Sequence, residues 1–168
     1  MTFFPRENLM RPVEGGAFVA ANAVVTGEVT LGEDAGVWFG CVLRGDDAPL
    51  IVGARTNIQD LTMIHADPGV PNVIGSGVTV GHRVVLHGAT VEDDCLIGMG
   101  SILLSGSVVR SGSIVAAGAV VKENFEVPAG TLVAGVPAKV MREVRPEELA
   151  SIRSSAEGYV TKIGLYRS

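Results

Sequence analysis

Aliphatic residues recur along this chain with a period near six. Through and around the stretch VTVGHRVVLHGATVEDDCLIGMGSILLSGSVVRSGSIVAAGAVV the series runs Ile74, Val80, Leu86, Val91, Ile97, Leu103, Val109, Val115, Val121, Val127 and Val133. One step, Leu86 to Val91, is a residue short. An upstream series runs Val13, Val19, Val25, Leu31, Val37 and Leu43, then resumes at Val52, Ile58 and Ile64. Small residues often stand four places after the aliphatic, as at Ala17, Ala23, Ala35, Cys41, Ser101, Ser107, Ser113 and Ala119. A sandwich of antiparallel strands gives alternation of two and turns every 8 to 12 residues, and does not sustain a six.

A repeat of six with one large and one small inward position predicts an all-β solenoid of triangular section. Three hexapeptides form one coil, and coils stack as parallel strands about 4.8 Å apart. The twenty positions make somewhat under seven coils. Two insertions interrupt the series, GDDAPL before Val52 and ADPGVPNV between Ile64 and Ile74, and both are expected to protrude as loops. After GVPAK the period changes. Pro146 and acids open a segment in which Leu149, Ile152, Ala156, Tyr159 and Ile163 follow at helical spacing. The expectation is a single domain over 1–168, with a solenoid over 13–139 and an amphipathic helix over 146–165 lying along the prism or its end.

Composition sharpens this reading. Glycine is abundant (22 residues) and aromatics are scarce (5%), as a core of small and β-branched side chains requires. The net charge of −5 argues against a nucleic-acid surface or a basic membrane-binding face. No apolar run approaches the roughly 20 residues of a transmembrane helix. The opening MTFFPRENLMRP lacks a signal peptide's continuous apolar stretch, and two cysteines are too few for a disulfide framework. The expected location is therefore the cytoplasm, with Cys41 and Cys95 buried as core thiols.

The three histidines carry the candidate chemistry. Repeats three apart lie above one another, so Leu43, Ile64 and Leu86 form one column, and the residues that follow point outward: Arg44, His65 and His87. His65 and His87 then stack one strand spacing apart, close enough for their nitrogens to approach the roughly 3.3 Å that two ligands of a tetrahedral zinc require. His82 stands two places after Val80, on the preceding face, with Asp60 one coil below it and Gln59 beside Asp60. A wall and a corner separate it from the pair. A third ligand must therefore come from a neighbouring subunit, and the simplest closed arrangement is a cyclic homotrimer. The bland alternative is three solvent-exposed rung histidines. Convergence of all three on one seam, together with Arg44, Asp46, Asp60 and Gln59, argues against it. Arg44 and Asp60 are expected to pair across that seam.

The segments LRGDDAPLIVGARTNIQD, MIHAD and VTVGHRVVLHGATVEDDCLIGMGS resemble the γ-class carbonic anhydrases and their carbonic-anhydrase-like relatives among the hexapeptide-repeat proteins. The similarity runs from about Val13 to SAEGYVTKIGLYR. It implies a left-handed parallel β-helix with a C-terminal helix, and a homotrimer binding zinc, iron or cobalt through His65 and His87 of one subunit and His82 of the next. It also implies interface and bicarbonate-site roles for Arg44 and Asp46, a seam salt bridge at Asp60, and Gln59 as the residue orienting the reacting water. Asn57 matches a nearby polar position, and Tyr159 a helix tyrosine reaching towards the site.

Two departures stand out. The acidic loop that follows the first metal histidine in active members is reduced to ADPGVPNV, with Asp67 its sole acid, and Ser155 stands where some members carry asparagine. Asp47 keeps an acid in the first insertion as a proton acceptor. The implied activity is reversible hydration of carbon dioxide to bicarbonate. The alternatives are a metal-holding relative with low turnover, scaffold or thioesterase-like, and an acyltransferase on the same prism.

Overall fold

A computed structural model describes residues 5–166. The first four residues and the last two, the ends of the single domain expected over 1–168, lie outside the described residues, as does Arg167 at the end of the resemblance. The chain winds as a left-handed parallel β-helix of about six turns with a helix at its C-terminal end.

The six-residue period sets the register of all three faces. On the first, Val19, Val37, Ile58, Val80, Ile97, Val115 and Val133 pair rung to rung. On the second, the column is Val25, Leu43, Ile64, Leu86, Leu103 and Val121. On the third it is Leu31, Val52, Ile74, Val91, Val109 and Val127. From Val37 onward each of these side chains is at most 2% exposed. The single-residue shortfall between Leu86 and Val91 is absorbed at the corner, and both residues keep their columns. Burial of stacked aliphatics at close packing fixes this register, because a slip of one residue would turn each column outward. Cys41 and Cys95 fill small inward positions and are fully buried.

Three features depart from the sequence reading. GDDAPL does not protrude: it continues the strand Val42–Val52 around the corner from the second face to the third, paired with Val24–Leu31. Gly27 and Gly45 permit the bend. A Cβ on Gly27 would lie 2.4 Å from the Gly45 backbone, which no side chain tolerates. Val13, the first member of the series, precedes a short turn and joins no rung. Finally, antiparallel strands close both ends, Met10–Pro12 against Phe18–Ala20 and Lys139–Glu143 against Thr131–Ala134. They cover edges that a parallel stack would leave unpaired.

The C-terminal helix, Pro146–Ile163, runs back across the first face. Glu148 accepts the Arg145 N–H at 2.9 Å and closes a capping box. Ile152, Ala156 and Ile163 are buried, and Ile163 occupies the space that Gly36 leaves by lacking a Cβ. Ion pairs Arg153–Asp94 (2.8 Å) and Arg55–Glu157 tie its outer face to the coils. Trp38, Phe39, Tyr159 and Tyr166 gather at its far end, where the Trp38 ring meets Tyr159 and Tyr166 edge-on, with centroids 5.2 and 5.6 Å apart. No helix among the described residues is long and apolar enough to cross a membrane.

Candidate metal centre

His65 and His87 end the strands Met63–His65 and Val85–His87, which pair in parallel with the two histidines opposite each other. Each follows a buried aliphatic, so the alternation of a strand turns both rings outward from the same face. His65 Nδ1 lies 3.3 Å from His87 Nε2. Arg44, on the preceding rung, places Nη2 3.0 Å from His65 Nε2 and Nη1 3.1 Å from Asp46 Oδ2. Asp46 Oδ1 and Asp47 Oδ2 stand 3.2 and 3.1 Å from the same His65 nitrogen. The corner strand, not a loop, delivers both carboxylates.

Two donor sets therefore share His65. One is Asp46, Asp47 and His65, whose ligand atoms lie within 4.8 Å of one another. The Arg44 guanidinium sits beside His65 and Asp46 and offsets one of the two carboxylate charges, which weakens the attraction for a second cation there. The other set is the His65/His87 nitrogen pair. Its 3.3 Å spacing equals the edge of a tetrahedron with bonds near 2.05 Å. The imidazole pair fits a borderline-soft divalent ion, and the carboxylates then serve as hydrogen-bond partners for His65.

His82 lies elsewhere, at the edge of the first face. Its Nδ1 is 2.8 Å from Asp60 Oδ2, and Asp60 Oδ1 accepts the Phe39 N–H at 3.2 Å. It lines a groove of about 510 Å³ between helix and sheet, shared with Gln59, Met99, Ser155 and Tyr159. Gln59 is 6% exposed and donates to Asn57 Oδ1, and Asn57 donates to Thr79 Oγ1 at 3.0 Å. Burial, and secondarily the Asp60 charge, pushes the Tyr159 phenol above its ordinary value, so it remains a hydrogen-bond donor. Burial likewise pushes Cys41 up to about 11 and Cys95 up to about 12, which makes both thiols inert.

The predicted residues thus fall into two groups within one chain. Arg44, Asp46, Asp47, His65 and His87 share one corner, while Gln59, Asp60, His82 and Tyr159 share another. Within the chain, Arg44 pairs with Asp46 and Asp60 pairs with His82. Three further residues meet the histidines, and two of them, Asn72 and Ser105, escaped the sequence reading. Asn72, fully buried, donates to the His65 carbonyl and accepts the Ala89 N–H at 2.9 Å, pinning the end of the second insertion. Ser105 and Asp67 meet the far side of the His87 ring. Asp67 was visible as the insertion's one acid, but no spacing rule points to Asn72 or Ser105.

A prism of hexapeptide coils, with an outward histidine pair at one corner and a third histidine at another, places the chain among the hexapeptide-repeat solenoids. A family model described as the hexapeptide repeat of succinyl-transferase matches residues 71–105 and 88–123. A carbonic anhydrase of Geobacillus kaustophilus is 41% identical over 165 residues, covering 98% of this chain and 91% of that protein. The mitochondrial γ carbonic anhydrase 2 of Arabidopsis thaliana is 44% identical over 93% of this chain, which spans only 58% of that protein's length. A crystal structure of a hexapeptide transferase family protein from Anaplasma phagocytophilum superposes with a TM-score of 0.79 at 37% identity, covering 92% of this chain and 96% of that one. The chain belongs to the γ-carbonic anhydrase family of hexapeptide-repeat proteins.

Proposed function

We propose that this protein catalyses the reversible hydration of carbon dioxide to bicarbonate and a proton, at metal centres built on the seams of a cytoplasmic homotrimer. Each centre takes His65 and His87 from one subunit and His82 from the next. The observation that carries this reading is the 3.3 Å nitrogen pair on one face, with His82 on the edge of another. Zinc is the favoured ion, and iron or cobalt suits the same donors.

His65, His87 and His82 would hold the ion through three neutral imidazoles, and a 2+ ion so held would supply hydroxide near neutral pH by lowering the pKa of water to about 7. The protein's groups do the rest. Gln59, nearly buried at the groove, orients the attacking oxygen through its amide, backed by Asn57. Arg44 faces the product anion and also locks the seam against Asp60 of the adjoining subunit, and Asp46 holds the guanidinium in place. Asp47, half exposed and 3.1 Å from His65, receives the released proton and passes it to buffer. Tyr159 borders the site from the helix as a neutral donor.

One observation favours a second reading, a metal-holding relative with slow turnover. The insertion after His65 carries a single acid, Asp67, and that carboxylate is already engaged by Ser105 at 2.9 Å. Two measurements decide. Elemental analysis of reconstituted protein should find about one divalent ion per subunit, and finding none would remove the metal centre. Stopped-flow hydration of carbon dioxide by zinc-loaded and anaerobically iron-loaded protein should be well above the buffer rate; metal without hydration selects the second reading.

A further inference from the structure

We infer that Ser105 and Asp67 are positioning residues that fix the His87 ring in one tautomer, with its Nδ1–H turned into the protein and its Nε2 lone pair turned towards His65. The inference deepens the metal-centre reading and rests on it for its function. Three successive coils contribute. Asp67 follows His65 on one coil, His87 sits on the next, and Ser105 stands at the corner of the coil after that. His87 Nδ1 lies 3.2 Å from Ser105 Oγ, and the Ser105 hydroxyl donates to Asp67 Oδ2 at 2.9 Å. Asp67 Oδ2 itself is 3.6 Å from His87 Nδ1.

The direction of this chain follows from the donor inventory. A carboxylate only accepts, so the single proton of the Ser105 hydroxyl is committed to Asp67. The hydroxyl can then offer His87 only a lone pair, so Nδ1 must carry the imidazole proton. A neutral imidazole has one N–H, which leaves Nε2 as the free acceptor. That nitrogen is the one 3.3 Å from His65. In the outward column Arg44, His65 and His87 are followed by Leu104, which offers no polar group, so Ser105 at the corner is the donor-acceptor that the next coil supplies. A partner of this kind fixes ring orientation and raises ligand basicity, and its loss generally costs 10–100-fold in metal affinity.

The test uses the full-length protein and zinc alone, with affinity read by competition against a chromophoric chelator. Ser105→Ala and Asp67→Asn should each weaken zinc binding by about 10–100-fold, and Ser105→Thr, which keeps the hydroxyl, should return it close to the wild-type value. Nitrogen-15 spectra of histidine-labelled, metal-free protein should show the Nδ1–H tautomer at His87, lost in Ser105→Ala. Unchanged zinc affinity in both variants, or an Nε2–H tautomer at His87 in the wild type, would overturn the assignment. If the wild type bound no zinc, the metal-centre reading would fall, and the tautomer measurement would still decide the role of Ser105 and Asp67.

Discussion

His87 stands opposite His65 on the adjoining rung, and their ring nitrogens are 3.3 Å apart while their ring centroids are 5.3 Å apart. Stacked strands bring the backbones within about 4.8 Å, and a tilt of 57° between the rings closes the rest. Two imidazoles are thus held by a rigid wall and need no loop to assemble. The pair nevertheless supplies only half of a tetrahedral ion's coordination, and His82 lies around a corner.

If the third ligand comes from the next subunit, His65→Ala and His82→Ala homotrimers should both be inactive, and mixed trimers should recover. In a mixed ring a single seam joins an intact His65/His87 pair to an intact His82. Random equal mixing makes three quarters of trimers mixed, so activity should return to about a quarter of the wild-type value in the whole preparation and about a third in the mixed trimers alone. Co-expression with two affinity tags, then metal and hydration assays on the doubly tagged fraction, checks this. A fraction as inactive as the single variants would place all three ligands in one chain.

Asp47 is half exposed and touches His65, a position from which a proton can reach solvent. Asp47→Ala should slow hydration chiefly at low buffer concentration, with recovery as buffer rises, because external base replaces the lost acceptor. An equal loss at every buffer concentration would assign Asp47 a positional role at His65 instead.

Asn72→Leu should destabilise the protein by about 1–3 kcal/mol, since it leaves the buried Ala89 N–H without its acceptor and takes one of two hydrogen bonds from the His65 carbonyl, which still accepts the Gly88 N–H at 3.1 Å. Urea denaturation of the metal-free protein measures the loss. Zinc affinity should fall as well, because the insertion that follows His65 loses its tie to the end of that strand. Wild-type values for both would show that Asn72 merely fills space.

Cys41 and Cys95 predict the alkaline limb of stability. Burial raises them from 9.0 to about 11 and about 12, so the folded state holds their protons above the pH at which the unfolded chain releases them. That contribution is fully present below about pH 9 and is lost as pH rises through 11 and 12. The denaturation midpoint should therefore decline above pH 9, and a Cys41→Ala/Cys95→Ala double variant should decline less steeply. Identical slopes would mean that other groups govern the alkaline limb.

The six-residue period by itself determined the prism, the three columns and the stacking of His65 on His87. A buried aliphatic at every sixth position admits one register, and register dictates which outward residues are neighbours. The helix over Leu149, Ile152, Ala156 and Ile163 was legible for the same reason, a periodic apolar stripe. Only the tertiary structure decided that GDDAPL continues a strand, because that depends on Gly27 and Gly45 letting two backbones meet at a corner. It alone closed the ends with antiparallel strands and drew Asp67, Asn72 and Ser105 to the histidines. Those contacts cross from coil to coil or bridge the second insertion, where side-chain reach and corner geometry, rather than any repeat, set who meets whom.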